Sequence, residues 1–286
     1  MEKFVDLHTH STVSDGTFTP TELVNYAKQK GLKALALTDH DTTDGIGEAL
    51  EAAKGSELEL IPGIELSTTW WGRDVHVVGL DLEYKNPEFC KTLTEFQASR
   101  DLRNRKIIGL LQEHDLNVTE EEMAEKFPDS VWTRAHFGRI LMEKGYVKSI
   151  SEAFDRYLGD RGPCYVPREK ITPFEAIKLI HKGKGIAVFA HPVLCGFSQE
   201  NLENLVKDLK EAGLEGIEAM YSTYEKRDER RIRSLAEKYD LQISGGSDFH
   251  GANKPKIDLG TGFGNLQIPY RVWENLKNLK KTNICS

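Results

Sequence analysis

The chain has 286 residues, 39% of them hydrophobic, and its 38 basic and 45 acidic side chains leave a net charge of −7. That balance excludes a broad basic face for duplex nucleic acid, and no apolar run approaches the roughly 18 residues that a membrane span needs. The charged start Met1-Glu2-Lys3 leads straight into an apolar run, unlike a signal peptide, so a cytoplasmic protein is expected; Cys90, Cys164, Cys195 and Cys285 stand far apart without ligand spacing and are expected as free thiols.

Apolar runs at 4–7, 34–37, 58–64, 75–80, 186–190, 214–219 and 241–245 predict seven strands. Amphipathic segments between most of them predict helices, the alternation of parallel β/α units, and seven such strands suggest a barrel. Thr19-Pro20-Thr21-Glu22 and Thr172-Pro173-Phe174-Glu175 each supply a cap, a proline at the first helical position and a glutamate closing a capping box; Gly31 and Gly183 stop those helices. Between about 98 and 166 the strand signals vanish. Helical patterns at 100–113 and 133–144, with further boxes at Thr119 to Glu122 and Ser149 to Glu152, predict an all-helical insertion closing over the barrel mouth. The barrel is then 1–97 and 167–286, and the insertion, 98–166, would restrict the site to small or single-stranded substrates and exclude bulk water.

Six histidines and three carboxylates recur where apolar or glycine-flanked runs end. They are His8 and His10 in Asp6-Leu7-His8-Thr9-His10-Ser11, Asp15 in Ser14-Asp15-Gly16, His40 in Leu37-Thr38-Asp39-His40-Asp41, Glu65 in Pro62-Gly63-Ile64-Glu65, His76 in Asp74-Val75-His76-Val77, His191 in Ala190-His191-Pro192, and Asp248 with His250 in Gly246-Ser247-Asp248-Phe249-His250. One His-x-His on a strand is a weak signal, since alternate residues share a face and buried histidine pairs are common. The full set has no packing explanation, because buried ionisable groups are costly unless paired or metal-bound. Nine such residues exceed what one zinc ion takes and suit two or three divalent ions, Mn, Fe or Zn, since imidazole with carboxylate and no thiolate selects borderline and harder metals. Those ions outweigh three carboxylates in charge, so an anionic substrate such as a phosphate ester fits.

These motifs and their spacing resemble the PHP (polymerase and histidinol phosphatase) family of metal-dependent phosphoesterases, over nearly the whole chain and with no departure at any ligand position. More narrowly the chain is similar to the single-chain TrpH-like branch, which includes 3',5'-bisphosphonucleotide phosphatases and 5' to 3' exonucleases acting on short RNA. The resemblance implies a distorted (β/α)7 TIM-like barrel carrying an active site. It assigns His8, His10, Glu65 and Asp248 to one ion, Glu65, His76 and His191 to a second, and Asp15, His40 and His250 to a third, with a hydroxide between the first two as nucleophile and Glu65, Asp248 and His191 as the catalytic set. It favours removal of the 3'-phosphate from a 3',5'-bisphosphonucleotide, with trimming of short single-stranded RNA, phosphatase action on another small metabolite such as histidinol phosphate, or a metal-binding accessory role as alternatives.

The insertion adds candidates for substrate contact. Arg134 and His136 lie in Trp132-Thr133-Arg134-Ala135-His136, where the branch has an Arg-x-His element, and Arg161 lies in Gly159-Asp160-Arg161-Gly162; arginine clamps phosphate bidentately. Arg100 and Arg103 share a helix face that reads as solvated. Asp6, Asp39 and Asp41 flank the histidines as orienting carboxylates. Trp70-Trp71 either stacks a base or packs at an edge, and His114 and His181 read as ordinary exposed histidines.

Overall fold

A computed structural model describes residues 3–167 and 171–283; Met1, Glu2 and Cys285 lie outside them. Among the described residues seven strands follow one another, β1 (Val5–Asp6), β2 (Ala34–Leu37), β3 (Glu59–Trp70), β4 (Arg73–Leu80), β5 (Ile186–Phe189), β6 (Gly216–Tyr221) and β7 (Gln242–Gly246), hydrogen-bonded in sequence order. The Leu7 N–H donates to the Gly245 carbonyl at 3.3 Å and the Asp248 N–H to the His8 carbonyl at 2.9 Å, which brings the first strand against the last and nearly closes a barrel.

Around it run α1 (Pro20–Gln29), α2 (Ile46–Ala53), α3 (Pro87–Glu113), α4 (Glu120–Lys126), α5 (Arg134–Glu143), α6 (Ile150–Ala153), α7 (Pro173–Lys182), α8 (Gln199–Glu211), α9 (Lys226–Lys238) and α10 (Tyr270–Asn283). None of the described helices is long and apolar enough to cross a membrane.

The barrel departs from uniform β/α units at one place. β3 and β4 are joined by Trp71-Gly72 alone, so β4 runs antiparallel to both β3 and β5 while the other pairs are parallel. No helix separates these two apolar runs in the sequence, and a parallel crossover needs a dozen or more residues. Glu65 and His76 therefore sit within a hairpin that rises past the barrel rim, and not at strand ends.

Strand periodicity sorts the side chains. Ala34 and Ala36, Val78 and Leu80, and Ile186 and Val188 face an inner cluster closed from below by Trp273 and Leu276 of α10, while Leu35 and Leu37 face α1 and α2, and Ala187 and Phe189 face outward toward the helix layer. The same parity puts Glu65 with Ile61, and His76 with Val78, so the ionisable groups sit on the inner face above the apolar plug. The insertion has its own cluster, from Ile107 to Cys164, including Met123, Phe137 and Ile140.

Helix ends match the sequence reading in part. Thr19 and Thr172 form complete capping boxes, and Gly31 turns left-handed after α1. Thr119 and Ser149 cap only one way; Glu122 accepts from Lys144 instead, and Glu152 from the Lys148 N–H. After α7 it is Lys184 that takes positive φ; Gly183 is there because a Cβ would stand 2.9 Å from Phe89. α3 begins at Asn86-Pro87, well before residue 100, and its first half packs Phe89, Leu93 and Phe96 on the barrel core.

The closing seam leaves no room for a side chain. A Cβ at Gly246 would stand 2.2 Å from the His8 Cβ, backbone against backbone, with no flexible side chain to yield. Gly246→Ala is expected to destabilise the fold by about 1–3 kcal/mol, read as a lower urea midpoint; an unchanged midpoint would mean that the seam spreads freely.

Candidate metal centre and substrate cavity

Glu65 is the hub of the site. Its Oε2 lies 3.2 Å from His8 Nε2, 3.3 Å from His10 Nε2 and 3.0 Å from His40 Nδ1, and its Oε1 lies 2.8 Å from His76 Nδ1 and 2.9 Å from His191 Nε2. Asp248 Oδ1 is 3.3 Å from both His10 Nε2 and His250 Nδ1. Asp15 Oδ1 is 3.1 Å from His250 Nε2, and its Oδ2 is 3.8 Å from His40 Nε2. All nine ligand candidates thus meet at one end of the barrel.

The donor sets overlap more than the sequence suggests. Ligand atoms of His10, Asp15, His40 and His250 converge, as do those of His8, Glu65 and His191, of His8, His10 and Asp248, and of His40, Glu65 and His76. His10 joins the Asp15, His40 and His250 group expected to stand alone.

These residues fit divalent ions on their own evidence. His8 Nε2, His10 Nε2 and Asp15 Oδ1 are buried and make no hydrogen bond, although carboxylate oxygens stand 3.2–3.3 Å from the two nitrogens and His250 Nε2 stands 3.1 Å from the Asp15 oxygen. Buried polar atoms are normally satisfied, and nitrogen and oxygen donors pointing at one another without bonding are what a shared cation would complete. Burial alone would raise the carboxyls; the surrounding histidines, His40 foremost for Glu65 and His250 for Asp15, hold both well below the usual carboxylate range, and Lys254 and His250 do so for Asp248.

An outer ring fixes these donors. Glu218, on the inner face of β6, accepts from His8 Nδ1 at 3.2 Å and from the His191 N–H at 2.7 Å, so the opposite nitrogen of His8 faces Glu65. Sequence reasoning missed it, although Gly216-Ile217-Glu218-Ala219-Met220 carries the same signature of a carboxylate inside an apolar run. Tyr221 and Lys254, also missed, donate to Asp248 Oδ2 at 2.5 and 2.6 Å and leave Oδ1 turned inward.

Asp39 accepts from Ser11 and Ser14, and Ser14 Oγ is 3.4 Å from His10 Nδ1. Asp6 ties β1 to the Ser247 N–H at 2.8 Å and the Gly260 N–H at 2.8 Å. His191, Asp248 and Asp41 hold positive φ, a strained backbone state that tends to cluster at functional sites.

Beside this cluster opens a cavity of about 450 Å³, lined by Asp15, His40, His76 and His250 together with Arg100, Arg103, Arg134, Phe154 and Lys254. Arg100 and Arg103 are buried and do not form the solvated face expected of them. Arg100 is locked to Asp41, to Ser67 Oγ at 2.7 Å and to the Trp132 carbonyl; Ser67 Oγ in turn lies 3.3 Å from His40 Nδ1. Arg134 pairs with Asp74 and lies over the rings of Phe154 and Tyr165 at 5.5 and 5.3 Å.

The other two arginine-region candidates are not brought to the cavity. His136 is the third residue of α5, and its Nδ1 accepts the Thr133 N–H at 3.0 Å, so the ring completes a capping box. Arg161 is exposed in a turn folded tightly on the segment before it, where a Cβ at Gly162 would meet the Tyr157 carbonyl. Trp71 stands exposed at the hairpin tip, and His114 and His181 are exposed.

Two outcomes are expected from this geometry. Glu218→Gln presents an amide N–H to the His191 N–H or to His8, and should lower metal affinity about 10- to 100-fold, measured as metal retained after dialysis. Retention equal to wild type would remove Glu218 from the site. Burial lowers the His136 pKa to about 4, so folding favours the neutral ring. The unfolded chain binds that proton first as pH falls below the ordinary value near 6.5; stability present above pH 6.5 is therefore lost toward pH 4. His136→Gln should flatten that part of the melting-temperature profile, and a parallel decline in both proteins would refute the assignment.

Comparison with known proteins agrees with this architecture. The PHP domain model matches residues 6–163. A 5'-3' exoribonuclease of Haemophilus influenzae is 38% identical over 274 residues, covering 96% of this chain and 99% of its own length. A 3',5'-nucleoside bisphosphate phosphatase of Chromobacterium violaceum is 31% identical over 274 residues, 96% of each chain. A solved amidohydrolase from Chromobacterium violaceum, with sulfate bound and no metal, superposes with a TM-score of 0.84 at 32% identity over 96% of each chain. With its inward ring of imidazoles and carboxylates at the mouth of a seven-stranded barrel, the chain belongs to the PHP family and is a phosphoester hydrolase.

Proposed function

We propose that the chain cleaves the ester bond at O3' of a 5'-phosphorylated nucleotide. For a 3',5'-bisphosphonucleotide this releases the 3'-phosphate and leaves the 5'-mononucleotide; for a short single-stranded RNA it releases the same 5'-mononucleotide from the 5' end. The two substrates share one scissile bond, which reconciles relatives named for a phosphatase and for an exoribonuclease.

The observation that carries this reading is that one cavity is lined both by the ligand candidates Asp15, His40, His76 and His250 and by the cationic Arg103, Arg134 and Lys254. A plain monoester needs only the ligand candidates; a second phosphate on the substrate gives the cationic side chains their work. At about 450 Å³ the cavity lies toward the lower end of ligand sites, which span roughly 300–1,000 Å³, and suits one nucleotide at a time.

His8, His10, Glu65 and Asp248, Glu65, His76 and His191, and Asp15, His40 and His250, with His10 shared, would hold two or three divalent ions, Mn, Fe or Zn. When bound, such ions polarise phosphoryl oxygens and lower the pKa of water. The chain's own residues do the rest. Glu218 and Ser14 orient the His8 and His10 rings. Arg134, held between Asp74 and Asp160, offers its guanidinium to the 5'-phosphate, while Arg100 keeps Asp41 and Ser67 in position behind His40. The insertion, 98–166, acts as a cap that limits entry to single strands. A cytoplasmic setting suits the free thiols of Cys90, Cys164 and Cys195.

The test is side-by-side hydrolysis of a 3',5'-bisphosphonucleotide, a 5'-phosphorylated dinucleotide, its 5'-hydroxyl counterpart and histidinol phosphate by Mn-loaded protein. Release of 5'-mononucleotide from the first two, with the 5'-hydroxyl dinucleotide far slower, is expected; preference for histidinol phosphate would overturn the reading. Arg134→Ala should lower kcat/KM for the 5'-phosphorylated substrates about 10- to 100-fold at unchanged metal content. An equal loss on both dinucleotides would place Arg134 elsewhere than at the 5'-phosphate.

A further inference from the structure

The hairpin that carries Glu65 and His76 turns through Trp71 and Gly72, with φ of 47° and 71°. Two-residue turns with positive φ at both positions favour Asn-Gly or Gly-Gly, and a bulky residue at the first position is strained. Burial does not compensate here, because Trp71 is 56% exposed. An aromatic residue kept both strained and exposed points to a contact outside the chain.

Its surroundings give that contact a chemistry. The Trp71 ring meets Phe197 edge-on at 5.9 Å, and the Arg73 guanidinium lies over the same Phe197 ring at 5.8 Å while reaching the Cys195 carbonyl at 3.4 Å. Phe197 stands in the loop leaving β5, six residues after His191, and Leu194 of that loop is 55% exposed. Two short segments therefore lead from the candidate ligands His76 and His191 to one aromatic and cationic patch. Along β4, Arg73 is three residues from His76, roughly 10 Å. Three residues also change the face of the strand, so the patch lies across the hairpin tip from the cavity, beyond a nucleotide held at the cluster and in the way of a strand that leaves over that tip.

We propose that Trp71, Phe197 and Arg73 form a stacking platform for a base of single-stranded RNA, one or more nucleotides 3' of the scissile bond. Aromatic rings beside a cation hold bases of any sequence by stacking, with the guanidinium facing the backbone phosphate. The proposal rests on the reading of the site as acting on RNA from its 5' end. It would make this chain processive enough to favour oligonucleotides over a lone bisphosphonucleotide, a preference that the cavity alone does not produce.

The test uses full-length, Mn-loaded protein and kcat/KM for a 3',5'-bisphosphonucleotide and for 5'-phosphorylated RNA dimers and pentamers. Trp71→Asn supplies the residue that the turn prefers, so its melting temperature should equal or exceed that of wild type. It should lose about tenfold or more on the pentamer, with the bisphosphonucleotide unchanged, and Trp71→Phe should recover most of the loss. Wild-type protein that hydrolyses no RNA would sink the substrate reading and the platform with it, before any variant is made. Wild-type protein that degrades pentamers at a rate Trp71→Asn does not alter would sink the platform alone, and would leave the patch to a protein partner. Equal losses on all three substrates would also overturn it, since the tip would then act through the hairpin.

Discussion

The rest of the molecule is arranged around one buried carboxylate. Glu65 stands among five imidazoles at 2.8–3.3 Å, sealed from solvent, in a place where an isolated charge would be prohibitively costly. A packed apolar core could not supply these groups with partners, so the barrel must deliver donors from several strands to one point. The β3–β4 hairpin does so most directly, carrying Glu65 on one strand and His76 on the next. The remaining donors arrive from the loops after β1, β2, β5 and β7, and their convergence depends on the closing seam at Gly246.

Precision in such a cluster comes from behind it. Glu218 bridges His8 to the backbone of His191, so two histidines from the loops after β1 and β5 share one reference. Arg100 does the same across a larger gap, joining a helix that enters the insertion to Asp41 and Ser67 of the barrel. Thr133 links the insertion to the cluster itself, donating to Asp15 Oδ2 at 2.7 Å as it caps α5. The insertion is thus braced against a ligand candidate, and the cavity wall bearing Arg134 begins one residue later.

Much of this was legible in the sequence because strands announce themselves by period and length, and because a histidine or aspartate ending an apolar run has few innocent explanations. All nine ligand candidates carry that mark. Glu218 carries it too, in the same Gly-Ile-Glu order as Glu65, and was overlooked. The antiparallel turn of β4 was readable in principle from the absence of any helical stretch between residues 70 and 73. The burial of Arg100 and Arg103 was not, because an amphipathic helix shows which residues share a face but not what that face meets. His136 misled for a different reason: a position that looks like a ligand from its neighbours was a helix cap by its register, three residues after Thr133.

α3 spans 27 residues without a break, a rod of about 40 Å whose first half rests on the barrel and whose second half seeds the insertion core. Its two hydrophobic footholds are held in one rotational phase, and Arg100 and Arg103 lie between them. One residue added or removed near position 98 would turn everything downstream by about 100° about the axis. Either the insertion would swing away from the mouth or the arginines would face solvent. Length variation among relatives should therefore collect in the loops at the far ends of the insertion helices, and this helix should behave as a ruler that admits exchange of letters but not of length.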